Sequence, residues 1–286
     1  MITGLTASTD VATLCCVLLK KYFLDLRAKA ELSATDLEQL KTAIEGTLDF
    51  EGQPMLLLKR KGDVLSKIYA KLDKKDVFVQ YLVTLCASES AKCRQFAMYV
   101  FEILSEMHLS GEELAGAKAQ FMQIFEQALQ DSEIQVRVAA LKAISSFISG
   151  IDDSSVALEF APVLALLLNV IVEALHQDED QGRSALESLC ELTSAHPECW
   201  KTETPKLLNV TAQIAQQKSF EDGTRSAAIE VILSLSEKMP APIRKAAETK
   251  TVLFPALVQM LMEVTTDDAE WQQEVEDYQS LGTTPV

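Results

Sequence analysis

Glycine and proline are scarce in this chain, at 10 and 8 of 286 residues. A fold built from short strands and tight turns would draw on many more, so long helices with short connections are favoured. No segment alternates apolar and polar residues at period two over a useful length. Histidine numbers only 3, and the 6 cysteines form no Cys-x-x-Cys pair, so no zinc ligand set is legible. His196 and Cys199 stand close in sequence, yet nothing nearby completes a metal site, and a nucleophilic Cys/His pair needs geometry that sequence does not carry. The cysteines lie mostly among apolar residues and read as reduced core thiols of a cytosolic or nuclear protein. The segment GEELAGAKA at 111–119 imitates a phosphate-binding loop. However, Ala117 separates Gly116 from Lys118, no Ser or Thr follows, and the segment opens a helix; Ser110 with Glu113 reads better as a capping box. No catalytic residue, metal or cofactor is expected, and an enzyme is not the reading.

Long apolar runs are also missing. The most apolar helix, VLALLLNVIVEAL at 163–175, contains Asn169 and Glu173 and is too short to span a bilayer, so it reads as a core helix. The stretch VATLCCVLLKK has no basic n-region and no small-residue cleavage site, which argues against a signal peptide and against membrane insertion. Aromatic residues are too scattered for a nucleic-acid stacking platform. Positive charge is short as well: the formal net charge is −16. The first hundred residues hold 14 Lys and Arg against 12 Asp and Glu, whereas the remainder holds 12 against 30. Such a field repels nucleic acid and anionic membranes and attracts basic partners.

What the chain does have is 48% hydrophobic residues and a recurrence. The stretch DSEIQVRVAALKAI at 131–144 runs from an acidic start through Arg137 to small and apolar residues at helical spacing. Arg94, Arg183 and Arg225 head similar stretches, and successive arginines are 43, 46 and 42 residues apart. Two and three places after the Arg, then six and seven, come Ala139, Ala140, Ala143, Ile144; Ala185, Leu186, Leu189, Cys190; and Ala227, Ala228, Val231, Ile232. That is one face of a helix, with small residues that let a neighbour approach. A second amphipathic helix precedes each one. Two helices per unit of forty-odd residues predicts an all-α HEAT-repeat α-solenoid, a right-handed superhelix of antiparallel helix pairs.

The order of residues in each unit then has a physical purpose. Asp131 falls in the turn between two helices, where a carboxylate accepts from orphan backbone N–H groups. Arg137 reaches toward an acidic residue of the neighbouring unit, and Arg94, Arg183 and Arg225 repeat the device as an inter-repeat ladder. The map expects a lone helix at 10–24, pairs at 34–48 with 54–71, 76–87 with 91–107, 112–130 with 132–149, 156–176 with 180–195 and 204–217 with 222–239, and a last helix at 247–264. Residues 1–264 would form about six helix pairs of a longer solenoid cut at both ends. Residues 265–286 would be an acidic, flexible insertion or tail.

Four segments carry a family resemblance: DVATLCCVLLKKYF, RSALESLCELTSAHP, TRSAAIEVILSLSEKMPAPIRK and LVQMLMEVTTDDAEWQQEVEDY. With Glu270-Trp271 set in an acidic run, the chain resembles the N-terminal part of an importin-β superfamily transport receptor of the importin beta-3 type. The resemblance implies shuttling between cytoplasm and nucleus through the nuclear pore. It implies Ran-GTP-regulated import of basic cargo, nucleoporin FG repeats on the outer surface, inner helices offered to Ran, and cargo contacts mostly on repeats beyond this chain. On the expected inner helix 54–71, Lys59, Arg60, Lys61 and Lys67 are then candidate Ran contacts. In the acidic run, Asp267, Asp268, Glu270, Trp271, Glu274, Glu276 and Asp277 read either as a solubilising linker or as an electrostatic lure for basic surfaces. The alternative to a receptor is a static scaffold, such as a phosphatase-type HEAT subunit.

Overall fold

The computed structural model describes residues 8–21, 32–106, 111–263 and 272–273, and every regular element among them is helical. In chain order the helices are α1 (Thr9–Leu19), α2 (Ala34–Glu45), α3 (Met55–Lys71), α4 (Lys75–Cys86), α5 (Ala91–Glu106), α6 (Gly111–Ala128) and α7 (Ile134–Ser149). They continue with α8 (Ser154–Ala157), α9 (Leu164–Gln177), α10 (Glu179–Ala195), α11 (Thr204–Gln216), α12 (Asp222–Lys238), α13 (Pro240–Lys245) and α14 (Phe254–Glu263). The chain divides into two compact units, Met1–Glu203 and Thr204–Val286.

Local chemistry sets the helix ends. Ser33 and Asp36 form a reciprocal capping box at the start of α2, satisfying two of the orphan N–H groups. Asp153 caps α8, and Asp178 caps α10 by accepting from the Gln181 N–H at 3.2 Å. Gly46 and Gly150 stand at the C-caps of α2 and α7. Asp73 closes the turn from α3 to α4 in the left-handed region, at φ 53°, which Asp tolerates better than most residues.

In the first unit the second helices of successive pairs pack in sequence: α3 on α5, α5 on α7, α7 on α10, with α1 against α3. The first helices cover them, α4 on α5 and α9 on α10. On α7 the small face is fully used: Ala140, Ala143 and Ile144 have no exposed surface, so the α5 and α10 backbones come close. The interior is tied lengthwise by rings: Phe101 meets Phe121 edge-on at 5.6 Å, Phe125 meets Phe147 at 5.6 Å, and Phe147 meets Phe160 at 5.5 Å. Trp200, also without exposed surface, closes the first unit. In the second unit α11 packs on α12 and on α14.

Three departures from the expected map have physical causes. The single helix at 156–176 is broken: α8 leads into a 3₁₀ segment at Leu158–Val163 that contains Pro162, and α9 follows. Proline has no N–H to give to the ladder. Taken together the successive helical segments Ser154–Gln177 are 24 residues with a mean hydropathy of 2.2 over an 18-residue window, long and apolar enough to cross a membrane, so the limit on length read at 163–175 does not hold. Instead Leu164, Leu167, Leu168, Val170, Ile171, Ala174 and Leu175 are buried in the core, where their apolarity is used. The expected 247–264 helix begins as a widened π turn, Thr249–Leu253, just before Pro255, and the short α13 begins at Pro240.

Candidate functional site

The arginines of the four stretches have different partners. Arg94 on α5 reaches the α6–α7 turn, where Nε donates to Asp131 Oδ2 at 2.6 Å and Nη2 to Oδ1 at 2.9 Å. Asp131 also accepts from the Glu133 N–H at 2.9 Å, so one carboxylate joins two repeats and caps a turn. Burial alone would raise its pKa; the Arg94 guanidinium and the Glu133 N–H outweigh burial and hold it below the ordinary value. Arg137 on α7 donates to the Asp131 carbonyl at 2.9 Å and to Glu173 of α9 at 2.5 Å. In the second unit Arg225, only 8% exposed, donates to the Ala215 carbonyl at 2.8 Å and to Glu263 at 2.5 Å. Glu263, which also meets Lys218 at 3.0 Å, thereby fixes the end of α14 to the α11–α12 turn. Its carboxyl lies below its ordinary pKa, chiefly through Arg225. Arg183 differs, pairing with Asp180 one turn earlier in its own helix at 2.5 Å.

The basic cluster of α3 does not stay together, because a helix advances about 100° per residue. Lys61 points inward with no exposed surface, donating to the Thr47 carbonyl at 2.6 Å and to Gln53 Oε1 at 2.9 Å. A residue so enclosed is unavailable to a partner, and its role is to hold the α2–α3 connection. Arg60 is 42% exposed and lies 3.4 Å from Asp63. Lys67 is half-buried on the same side of α3, seven residues on. Lys59 stands over the Tyr99 ring of α5 at 4.9 Å from its centroid.

Sequence reasoning missed the group around Asp63. This carboxylate, 3% exposed, is within 3.4 Å of Lys20, at the C-cap of α1, and of Arg60, and it accepts from the Tyr99 hydroxyl at 2.9 Å. The end of α1 is thus joined to α3 and α5 through one buried anion. Further along, Lys142 of α7 donates to the Ser184 hydroxyl of α10 at 2.5 Å. Between these links the second helices of the first unit line a groove of about 470 Å³, with Lys59, Tyr99, Lys142, Asp178, Asp180 and Ser184 on its walls. The only sequence signal was the KRKGD run, in which the acidic residue was the informative one.

Asp267, Asp268, Glu270, Trp271, Glu274, Glu276 and Asp277 lie outside the described residues. Burial pushes the thiols of Cys16 and Cys199 up to about 11 and that of Cys86 to about 12, away from thiolate chemistry. His196 contacts Glu198 at 3.1 Å. Among the described residues no group of three or more His, Cys, Asp or Glu is placed to hold a metal ion.

Comparison with known proteins adds the following. The family described as IPO5-like, TPR repeats, matches residues 58–210, and the family described as importin repeat matches residues 217–280. The chain is 22% identical over 213 residues to a probable importin-5 homolog of Dictyostelium discoideum, covering 72% of this chain and 19% of that protein. It is 26% identical over 152 residues to importin subunit beta-3 of Saccharomyces cerevisiae, covering 52% of this chain and 14% of that protein. Among solved structures it resembles Kap121p bound to Nup53p, with a TM-score of 0.73, 20% identity, and coverage of 94% of this chain and 26% of that one. The chain therefore spans a fifth or less of the curated relatives it matches and about a quarter of the solved one. The likeness establishes an α-solenoid. The arginine spacing of 42 to 46 residues exceeds the tetratricopeptide period of about 34 and fits HEAT-type pairs.

Proposed function

The chain belongs to the IPO5-like repeat family, and from that premise we propose that it is a segment of a nuclear transport receptor that shuttles between cytoplasm and nucleus. In this reading it contributes to Ran-GTP-regulated import of basic cargo, with nucleoporins as further partners. The observation that carries the reading is the family match over residues 58–210, which spans the stacked second helices α3, α5, α7 and α10. Two features support it further. The net charge of −16 suits basic partners, since opposite fields speed encounter. One relative of the same fold, Kap121p, has been solved bound to Nup53p. Arg60 and Lys67, on the side of α3 away from the enclosed Lys61, are the candidate Ran contacts within this chain. The test is a pull-down with Ran locked in its GTP and GDP forms, using this chain and a longer one that carries further repeats. Retention of the GTP form alone by the longer chain is expected; equal retention of both forms, or of neither, removes the Ran-regulated reading.

A further inference from the structure

The groove walled by α3, α5, α7 and α10 has an uneven use of charge. Of its carboxylates, Asp178 is occupied by the Gln181 backbone N–H at 3.2 Å and the Gln181 side-chain amide at 2.7 Å, and Asp180 by Arg183 at 2.5 Å. Its two ammonium groups are not matched in the same way. Lys59 rests on the Tyr99 ring, and Lys142 donates to a neutral hydroxyl. Among the described residues neither has a carboxylate within ion-pair distance; Glu102 attracts Lys59 only from farther off. Burial, and secondly the like charge of Lys142, push the Lys59 pKa down, so the Lys59 ammonium would gain from a negative neighbour. Tyr99, tethered by its hydrogen bond to Asp63, holds Lys59 in place before any partner arrives. Gln95 and Gln135 line the same groove and supply amides that an extended backbone can pair with.

We infer that this groove takes an extended acidic peptide segment, with Lys59 and Lys142 as counter-ions to a Glu or Asp side chain. A single carboxylate suits the site better than a phosphate dianion, because Asp178, Asp180 and Glu102 stand on the same walls. On a chain of net charge −16 the overall field opposes an acidic ligand, so its capture would report the local pair and not bulk attraction. The inference does not require Ran and stands or falls apart from the receptor reading.

Fluorescence anisotropy of the 286-residue chain with a short labelled peptide of alternating Glu and Ser tests it, beside the Gln/Ser and phosphoserine counterparts. Binding of the Glu peptide alone is expected, weakening with salt, with the Lys59→Gln/Lys142→Gln double variant about five- to tenfold weaker. Zero-length carbodiimide coupling of the Glu peptide to the unaltered chain, mapped by mass spectrometry, gives a readout that does not depend on a variant folding. Amide links at Lys59 or Lys142 are expected. Links only elsewhere, equal binding of the Gln peptide, preference for the phosphopeptide, or an unweakened, helical double variant would each overturn the proposal.

Discussion

Arg94 and Asp131 meet through two parallel hydrogen bonds of 2.6 and 2.9 Å across 37 residues of sequence, and this pair is an enclosed joint between repeats in the first unit. Both side chains are mostly covered, at 18% and 9% exposure. Removing the arginine leaves a largely buried anion with the Glu133 N–H and the Ser132 side chain but no counter-charge in the turn. Arg94→Ala should therefore cost about 2–3 kcal/mol in urea unfolding. Arg137→Ala removes a pair whose carboxylate, Glu173, is 54% exposed, so about 1 kcal/mol is expected. Equal urea midpoints for the two variants would remove the distinction.

The Asp131 carboxyl also predicts a pH response. Its folded pKa lies below the ordinary value, so its contribution is present above the unfolded pKa of about 3.9 and is lost as pH falls through the lower folded one. Asp131→Asn should flatten that part of the acid-unfolding curve. An unchanged acid limb would contradict the assignment.

Lys61 predicts the opposite of what a surface lysine would do. It is enclosed and bonded to Thr47 and Gln53, so Lys61→Ala opens a cavity and takes the donor from Gln53 Oε1, while the Thr47 carbonyl keeps only the Gln53 side-chain amide, at about 2–4 kcal/mol. Burial lowers its folded pKa, so stability should rise with pH across the interval between that value and the unfolded pKa of about 10.4. Thermal melts of Lys61→Ala and Lys67→Ala compare the two; matched melting temperatures would mean that Lys61 is not anchored as described.

Gly182→Ala should be destabilising by about 1–3 kcal/mol. An added Cβ would stand 2.5 Å from Leu175 Cδ2 and 2.7 Å from the Leu175 backbone N, and backbone cannot step aside as a side-chain tip can. Chemical denaturation of the variant checks this, and a neutral result would mean that the α9–α10 turn is looser than these distances require.

Most of the helix layout was legible because the apolar period of 3.6 survives in every pair, and because Ser33, Asp178 and Gly150 mark ends in the usual chemical ways. The 3₁₀ segment at Pro162 and the π turn before Pro255 were not expected, since both stretches read as unbroken helices: a proline tells that a ladder bond is lost, not which neighbouring turn absorbs it. The side-chain partners were harder. Arg94, Arg137 and Arg225 meet carboxylates 37, 36 and 38 residues ahead, a regularity visible only once the repeat length is known. Four basic residues close in sequence looked like one patch, and the helix sent them to different sides. Asp63 was passed over because a lone acidic residue in a basic run has no periodic signal. Its three partners come from the end of α1 and from α3 and α5, which sequence distance does not bring together.

The receptor reading is tested most directly by calorimetric titration of a longer chain, bearing these repeats and those beyond, with Ran in its GTP and GDP forms. A preference of about tenfold or more for the GTP form is predicted, reduced when Arg60 and Lys67 are both changed to Ala. Equal affinity for the two forms, in a chain whose helical content is intact, would contradict it.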